Sequence, residues 1–460
     1  MPESVPSVPS VPSPRHPAHA LDRAFLGMER RHPGARWDAG GVAYLSGPPP
    51  SLADLRAYVD FRLAQLPLLT SRVEGGPRRP RWRTDTGFAV DRHVHEVVAE
   101  GPEEWDQALH TAINAPLAPG TYWGVWLVHG HAPDRYAVCY RFHHACQDGA
   151  AAAMTFRTML GEGEPSARPV PGKGRRTDLP RRAGMAVGLA AKFASASLVG
   201  RGPRPAAAPF VPTGERRLWR GRVPAGELRR IGAARGGSAH DVHLAALAGA
   251  LATWSARSGV PLPRVTALVP VDARRPDEDQ TWGNRCFALP LELPVRTVPK
   301  DTDASRGTRG TRGTRGTRGT RGTRRGQDGD ASLWRLDRVM ARTRKLRGEA
   351  WRQAIQDLVR FMPDRPTEWY LRRVISPRVT DVMATSMPLA DKGSLGETQV
   401  TGTALLPLLV PGHLFGVGLS FFDTWAEVSF LADRALPLGE SLPGLWERAV
   451  AELEGAQAPK

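Results

Sequence analysis

The run His143-His144-Ala145-Cys146-Gln147-Asp148-Gly149 gathers two imidazoles, a thiol, a carboxylate and a glycine where a strand breaks. The preceding residues, Arg135 to Phe142 (RYAVCYRF), are rich in aromatic and β-branched types and read as a buried strand. Adjacent side chains on an extended backbone point to opposite faces, so His143 and His144 do different work: one packs and the other faces a cavity. A neutral imidazole, with a reference pKa of roughly 6.5, can take the proton of a hydroxyl, amine or thiol as that group attacks a thioester, typically worth about 10²- to 10⁴-fold. The run therefore suggests acyl transfer. Asp148, beyond a sharp turn, is placed to fix the loop through an arginine or backbone N–H groups, and Gly149 fits a bend where a side chain would clash.

Three plainer readings stand beside this one. A His-His pair taken alone is more often structural. A metal site from His143, His144 and Asp148 would need the two histidines to converge, and no other His/Cys cluster has ligand spacing. Cys146 lies two residues from a histidine, poor geometry for a nucleophilic dyad, and reads as a small buried hydrophobe.

The elements that must position these groups are strands alternating with helices in both halves of the chain, an α/β pattern. Ala150 to Leu160 (AAAAMTFRTML) reads as a helix packed behind the motif. Ser51 to Val73 reads as a helix, and Val42 to Pro50 as strand-like. Later strands are expected at Arg264 to Val271, Ala288 to Val295, and in a hairpin of Leu414 to Phe422 with Trp425 to Ala432 turning at Asp423-Thr424. Leu333 to Ala350 reads as a further helix.

The motif and its flanking blocks resemble the bacterial wax ester synthase/diacylglycerol acyltransferase family, within the HHxxxDG superfamily of condensation domains and chloramphenicol-acetyltransferase-like enzymes. The resemblance covers most of residues 20 to 455. It is carried before the motif by LDRAFLGMERR (Leu21 to Arg31), VAYLSGPPP (Val42 to Pro50), DRHVHEV (Asp91 to Val97) and PLAPGTYWGVWLVHG (Pro116 to Gly130). After it come HDVHLAALAGALATW (His240 to Trp254), VPVDAR (Val269 to Arg274), Gly283-Asn284 and TSMP (Thr385 to Pro388). The resemblance implies two acetyltransferase-like α/β subdomains forming a V, with an active-site tunnel at their interface. His144 would be the general base, and Asp148 structural with Arg274 as its ionic partner. Asn284 would donate a hydrogen bond to the oxyanion or the donor, and His240, Asp241 and Ser386 would line or brace the cavity. The family usually has Asn-Asp where this chain has His240-Asp241, and Ser-Asn-Val-Pro-Gly where it has Thr385 to Leu389. A Pro-Leu-Asn block is missing near Pro209 to Gly214. The implied reaction moves an acyl group from acyl-CoA to an alcohol such as a fatty alcohol or diacylglycerol, with no cofactor beyond that co-substrate. An alternative uses an acyl carrier protein on a separate chain to esterify or amidate a specialised metabolite.

Composition agrees with such an enzyme. The chain has 460 residues and 41% hydrophobic content, enough for two cores. Cys139, Cys146 and Cys286 give no disulfide framework and fit a reducing cytoplasm. Residues 1 to 19, with repeated Val-Pro-Ser, read as a disordered leader rather than a signal peptide. The first subdomain is expected over 20–161, a linker with a helix over 162–208, and the second subdomain over 209–460, interrupted by a disordered loop at 301–331. That loop holds six Arg-Gly-Thr units and eight arginines between Arg306 and Arg325, nearly half of the net charge of +17. Anionic lipid, nucleic acid or coenzyme A phosphates could bind it, but an expanded codon repeat without a selected role is the simpler reading. A purely nucleic-acid- or membrane-binding function is disfavoured, because the charge sits in one removable loop with no accompanying motif. In the linker, Ala183 to Gly200 is too interrupted by Lys192, serines and glycines to span a bilayer, and leaves peripheral membrane or lipid-droplet contact as a second expectation.

Overall fold

The computed structural model describes residues 16–76, 79–161, 210–275, 282–295, 322–344, 349–361, 363–390 and 392–457, with the isolated positions Gly184 and Gly188. The leader before residue 16, nearly all of the linker and the repeat up to residue 321 lie outside the described residues. The first stretch runs β1 (His16–Pro17), α1 (Ala20–Arg31), β2 (Asp38–Ser46), α2 (Leu52–Leu63), β3 (Ser71–Glu74), β4 (Arg81–Thr84), β5 (Val94–Val98), α3 (Trp105–Asn114), β6 (Trp123–Ala132), β7 (Arg135–His143) and α4 (Gly149–Met159). The second runs β8 (Arg216–Pro224), α5 (Ala225–Ala233), α6 (Ala239–Ser258), β9 (Val265–Asp272), β10 (Cys286–Leu293) and α7 (Gly322–Thr343). It continues with α8 (Glu349–Phe361), α9 (Asp364–Val374), β11 (Val382–Pro388), β12 (Ser394–Leu395), β13 (Thr398–Leu406), β14 (Phe415–Phe422), β15 (Trp425–Asp433) and α10 (Leu442–Gln457).

Two six-stranded sheets organise these elements, ordered β12-β13-β2-β7-β6-β5 and β10-β9-β11-β14-β15-β8, with a small β1-β4-β3 sheet beside them. One hydrophobic core joins side chains of the first sheet to Leu268 of β9 and Phe287 and Leu289 of β10, and a second core lies within the second half. The second is threaded by α6, whose alanines and leucines are buried nearly all round, as a helix enclosed by its own subdomain requires. Ser238 caps its start, and Gly259, at φ 72°, ends it. The expected boundary at residue 209 separates the two sheets except at β12 and β13, which come from the second part of the chain and complete the first sheet against β2. A buried ionic strut also joins the halves. Asp38 on β2 receives Arg141 of β7 at 2.6 Å and Arg216 of β8 at 3.0 Å. Burial alone would raise the Asp38 pKa, but the two guanidinium groups outweigh it and hold the carboxyl well below its usual range.

Several local expectations are corrected. The helix expected over 51–73 stops at Leu63: Pro67 cannot supply the next N–H, a 3-10 turn follows at Pro67–Thr70, and Ser71–Glu74 is a strand. The leader ends sooner than residue 19, since His16 and Pro17 pair with Trp82 and Arg81. Residues 322–331, expected in a disordered loop, are the first turns of α7, propagated from the face that buries Leu336, Val339 and Met340. That helix ends at Thr343 rather than Ala350, where the buried Thr343 hydroxyl donates to Asp241. Among the described residues no helix is long and apolar enough to cross a membrane.

Candidate active site

Strand β7 delivers the two histidines to opposite sides. His143, its last residue, is buried, accepts the Ala145 N–H on Nδ1 at 3.1 Å and meets Tyr122 edge-on. Burial pushes its pKa down to about 4, so it is a neutral packing group. His144 lies one residue further, anchored by its backbone N–H to the Trp37 carbonyl at 2.8 Å. Its ring stacks on Phe25 of α1, with centroids 4.4 Å apart, and lines a cavity.

The tautomer of His144 follows from its neighbour. Nδ1 is 3.1 Å from Asn284 Oδ1. The other end of that amide, Nδ2, donates to Asp22 Oδ1 at 2.8 Å and to the His144 carbonyl at 2.7 Å. Carboxylate and carbonyl oxygens only accept, so Asn284 must present its oxygen to the ring. Nδ1 therefore carries the proton and Nε2 the lone pair. Burial lowers the His144 pKa, partly offset by Asp148 and Asn284, which keeps Nε2 unprotonated at neutral pH.

Asp148 braces the loop. Both its oxygens receive Arg274 Nη1, at 2.7 and 2.8 Å, and it also accepts the Arg285 N–H at 2.8 Å and, as cap of α4, the Ala151 N–H at 3.0 Å. Arg274 Nη2 donates to the Gly283 carbonyl at 2.7 Å, and Gly283 N–H returns to the Cys146 carbonyl at 2.7 Å. Gly283 sits at φ 72°, in the left-handed region, at the turn that leads into Asn284. The loop of residues 143–149 is thus clamped to the segment 282–285 of the other half. A Cβ on Gly149 would lie 2.3 Å from the Met387 methyl, the far end of a flexible side chain that can move aside.

The cavity has a volume of about 580 Å³ and lies between the sheets, with walls that include Gly41 of β2, Phe142 of β7, Leu268 of β9, Phe287 of β10, Ser386 of β11 and Leu405 of β13. Ser386 stands on its wall as expected. His240 and Asp241 do not. They occupy the first turn of α6, where Asp241 accepts both the N–H and the hydroxyl of Ser238 at 2.7 Å, completing a capping box. Asn284 is also reassigned: with both amide protons taken by Asp22 and His144, it has none for an oxyanion. Cys146 is buried, and its thiol is directed at the His143 and Tyr122 carbonyls, with burial holding its pKa well above the usual range. His143, His144 and Asp148 do not converge on a common point for a metal.

Sequence reasoning missed Asp22 and Phe25. Both lie in LDRAFLGMERR, three residues apart, and therefore on one face of α1. An aspartate on the buried face of a helix was the available signal.

A model of the wax ester synthase/diacylglycerol acyltransferase catalytic domain matches residues 19–247, a span that includes Asp22 and the whole HHxxxDG run. A protein of Mycobacterium tuberculosis H37Rv named as a diacylglycerol O-acyltransferase is 29% identical over 261 residues, covering 48% of this chain and 53% of that one. The chain spans about half the length of the curated relatives it matches. Among solved structures, the wax ester synthase/diacylglycerol acyltransferase of Marinobacter aquaeolei VT8 superposes with TM-score 0.60 at 16% identity, over 96% of this chain and 99% of that one. The first condensation domain of the calcium-dependent antibiotic synthetase, in complex with a substrate analogue, gives 0.61 at 18% identity, over 98% of each. A starter condensation domain of rhizomide synthetase in complex with C8-CoA gives 0.58 at 15% identity, over 97% of this chain and 95% of that one. At these identities the structural matches establish a shared two-subdomain, chloramphenicol-acetyltransferase-like fold.

Proposed function

The chain belongs to the wax ester synthase/diacylglycerol acyltransferase-like family, and from that premise we propose that it is an O-acyltransferase moving an acyl group from acyl-CoA to the hydroxyl of a fatty alcohol or diacylglycerol. The observation that carries the reading is the His144 ring, held through Nδ1 so that its basic Nε2 is left for the cavity. The acceptor hydroxyl gives its proton to Nε2 as its oxygen bonds to the thioester carbonyl carbon. The tetrahedral intermediate then collapses, the C–S bond breaks, and the imidazolium returns the proton to the departing thiolate. Asp148, locked to Arg274, keeps the loop in place and takes no proton. The largely hydrocarbon walls contributed by Phe25, Phe142, Leu268, Phe287 and Leu405 suit an acyl chain and limit competing water. The reaction needs no cofactor beyond acyl-CoA itself.

A second reading keeps the fold and the base but takes its donor from an acyl carrier protein and acylates a specialised metabolite. It is favoured by the equally close fold agreement with condensation domains. The deciding assay gives purified wild type and His144→Ala a panel of acyl-CoAs with fatty alcohols or diacylglycerol, scored for ester by mass spectrometry and for free thiol. Ester lost in the variant supports the lipid reading. No ester from any lipid acceptor with a folded wild type removes it and directs the test to carrier-bound donors.

The setting proposed is cytoplasmic with peripheral contact to a lipid surface. Helix α9 turns Thr367, Tyr370 and Leu371 to the cavity and leaves Trp369, 53% exposed, beside the exposed Arg365 and Arg372. Flotation with anionic vesicles that is unchanged in Trp369→Ser would remove this part.

A further inference from the structure

We propose that Asp22 is a positioning residue for the base: acting through Asn284, it fixes His144 as the Nδ1–H tautomer and supplies the negative charge that steadies the imidazolium formed during transfer. The kinetic part of this inference rests on the acyl-transfer reading, while the tautomer part stands without it.

A capping role alone would not account for the geometry. Asp22 Oδ2 closes the start of α1 by accepting the His19 N–H at 2.8 Å. Its other oxygen is turned to a different segment and accepts both N–H groups of Asn284, the backbone one at 3.0 Å and the side-chain one at 2.8 Å. One carboxylate oxygen therefore serves the helix and the other sets which way the Asn284 amide points. That direction decides which His144 nitrogen is protonated, because the amide oxygen left over is the one that meets Nδ1 at 3.1 Å. Donating to a carboxylate also makes the amide oxygen a better acceptor, so charge on Asp22 is felt at the ring. Asp22 is fully buried. Burial pushes its pKa up to about 6 against the pull of Asn284, His19 and Arg285, leaving it ionised at neutral pH. The other charged or titratable neighbours are Cys146 on the motif loop, Arg285 beside Asn284, and Asp148, which faces His144 and is itself neutralised by Arg274.

The test uses the full chain labelled with ¹⁵N-histidine, with His144→Ala to assign the resonance, and an assay of thiol release from decanoyl-CoA with 1-decanol. Wild-type His144 is expected to show a protonated Nδ1 and a bare Nε2. Asp22→Ala should convert it to a tautomer mixture, with kcat reduced roughly 10- to 100-fold. Asp22→Asn, which keeps the shape and removes the charge, should move the acid limb of kcat/KM to lower pH and reduce kcat. A wild-type ring protonated on Nε2 overturns the proposal. So do folded variants whose tautomer and acid limb match wild type, the result a merely structural aspartate would give. If Asp22→Ala does not fold, the wild-type tautomer and Asp22→Asn still decide. Absence of turnover by wild type with this pair counts against the lipid reading, and the tautomer measurement still judges Asp22.

Discussion

Two helix starts in this molecule carry nearly the same chemical groups and put them to opposite use. The loop before α4 holds His143, His144 and Asp148, and the first turn of α6 holds His240, Asp241 and His243. At α4 the aspartate is itself the cap, whereas at α6 the cap is Ser238, and Asp241, three residues on, accepts the Ser238 N–H to complete the box. At α4 a second layer is added: Arg274 and the Arg285 N–H bind the carboxylate, Asn284 binds the imidazole, and the ring lines a cavity. At α6 the aspartate is answered by Ser238 and Thr343, and His243 is sealed in the core with neither ring nitrogen hydrogen-bonded among the described residues. Residue type is shared. Partners and access distinguish the proposed base from a core residue.

The comparison breaks most directly at the histidines. His144→Ala should lower ester formation by about 10²- to 10⁴-fold with the melting temperature little changed, whereas His243→Leu should leave turnover intact. Loss of turnover in the second and not the first would reverse the assignment. The aspartates should differ in stability. Arg274→Ala leaves Asp148 charged, buried and unpaired, and is expected to cost about 3–5 kcal/mol in denaturant unfolding. Asp241→Ala removes a capping box and should cost about 1 kcal/mol; equal losses would mean that the clamp adds nothing to the cap.

Acid sharpens the contrast. Burial pushes the His243 pKa down to about 3, below its unfolded value near 6.5. The unfolded chain then binds more protons, so the stability contributed by neutral His243 is complete above about pH 6.5 and is lost as pH falls toward 3. Roughly 2 kcal/mol should disappear between pH 6.5 and 5. His143, held at about 4 by burial, adds to the same slope. Urea titrations should show His243→Leu with a flatter acid limb, and an unchanged slope would remove the assignment. The smallest effect is expected at His240→Asn: unchanged kinetics with every acceptor and a stability shift within about 0.5 kcal/mol. A changed acceptor preference would return His240 to the cavity.

Much of the fold could be read along the chain because its signals are local. The strand RYAVCYRF leading to the histidines and the hairpin turning at Asp423-Thr424 declare themselves through residue type and turn chemistry. One failure was local in cause and another was not. The segment 51–73 keeps an apolar pattern through Pro67, and the pattern hides the break that proline imposes. The strand β13 looks like its neighbours, and its membership of the first sheet depends on pairing with β2 more than 350 residues earlier, which no local period encodes.

The sequence by itself determined that two imidazoles, a carboxylate and a glycine gather at the end of a strand, because HHxxxDG is a local run, and the alternation of a strand already required the two histidines to part. The family resemblance carried by the VPVDAR block implied Arg274 as the partner of Asp148, and the fold brings the two together. Only the tertiary structure decided that Asp22 and Asn284, from segments 262 residues apart, meet around His144 to choose its tautomer, and that His240 and Asp241 stay with their helix cap. Which nitrogen holds a proton depends on the direction of one amide, and that direction is fixed by contacts between segments whose meeting is a property of the folded chain.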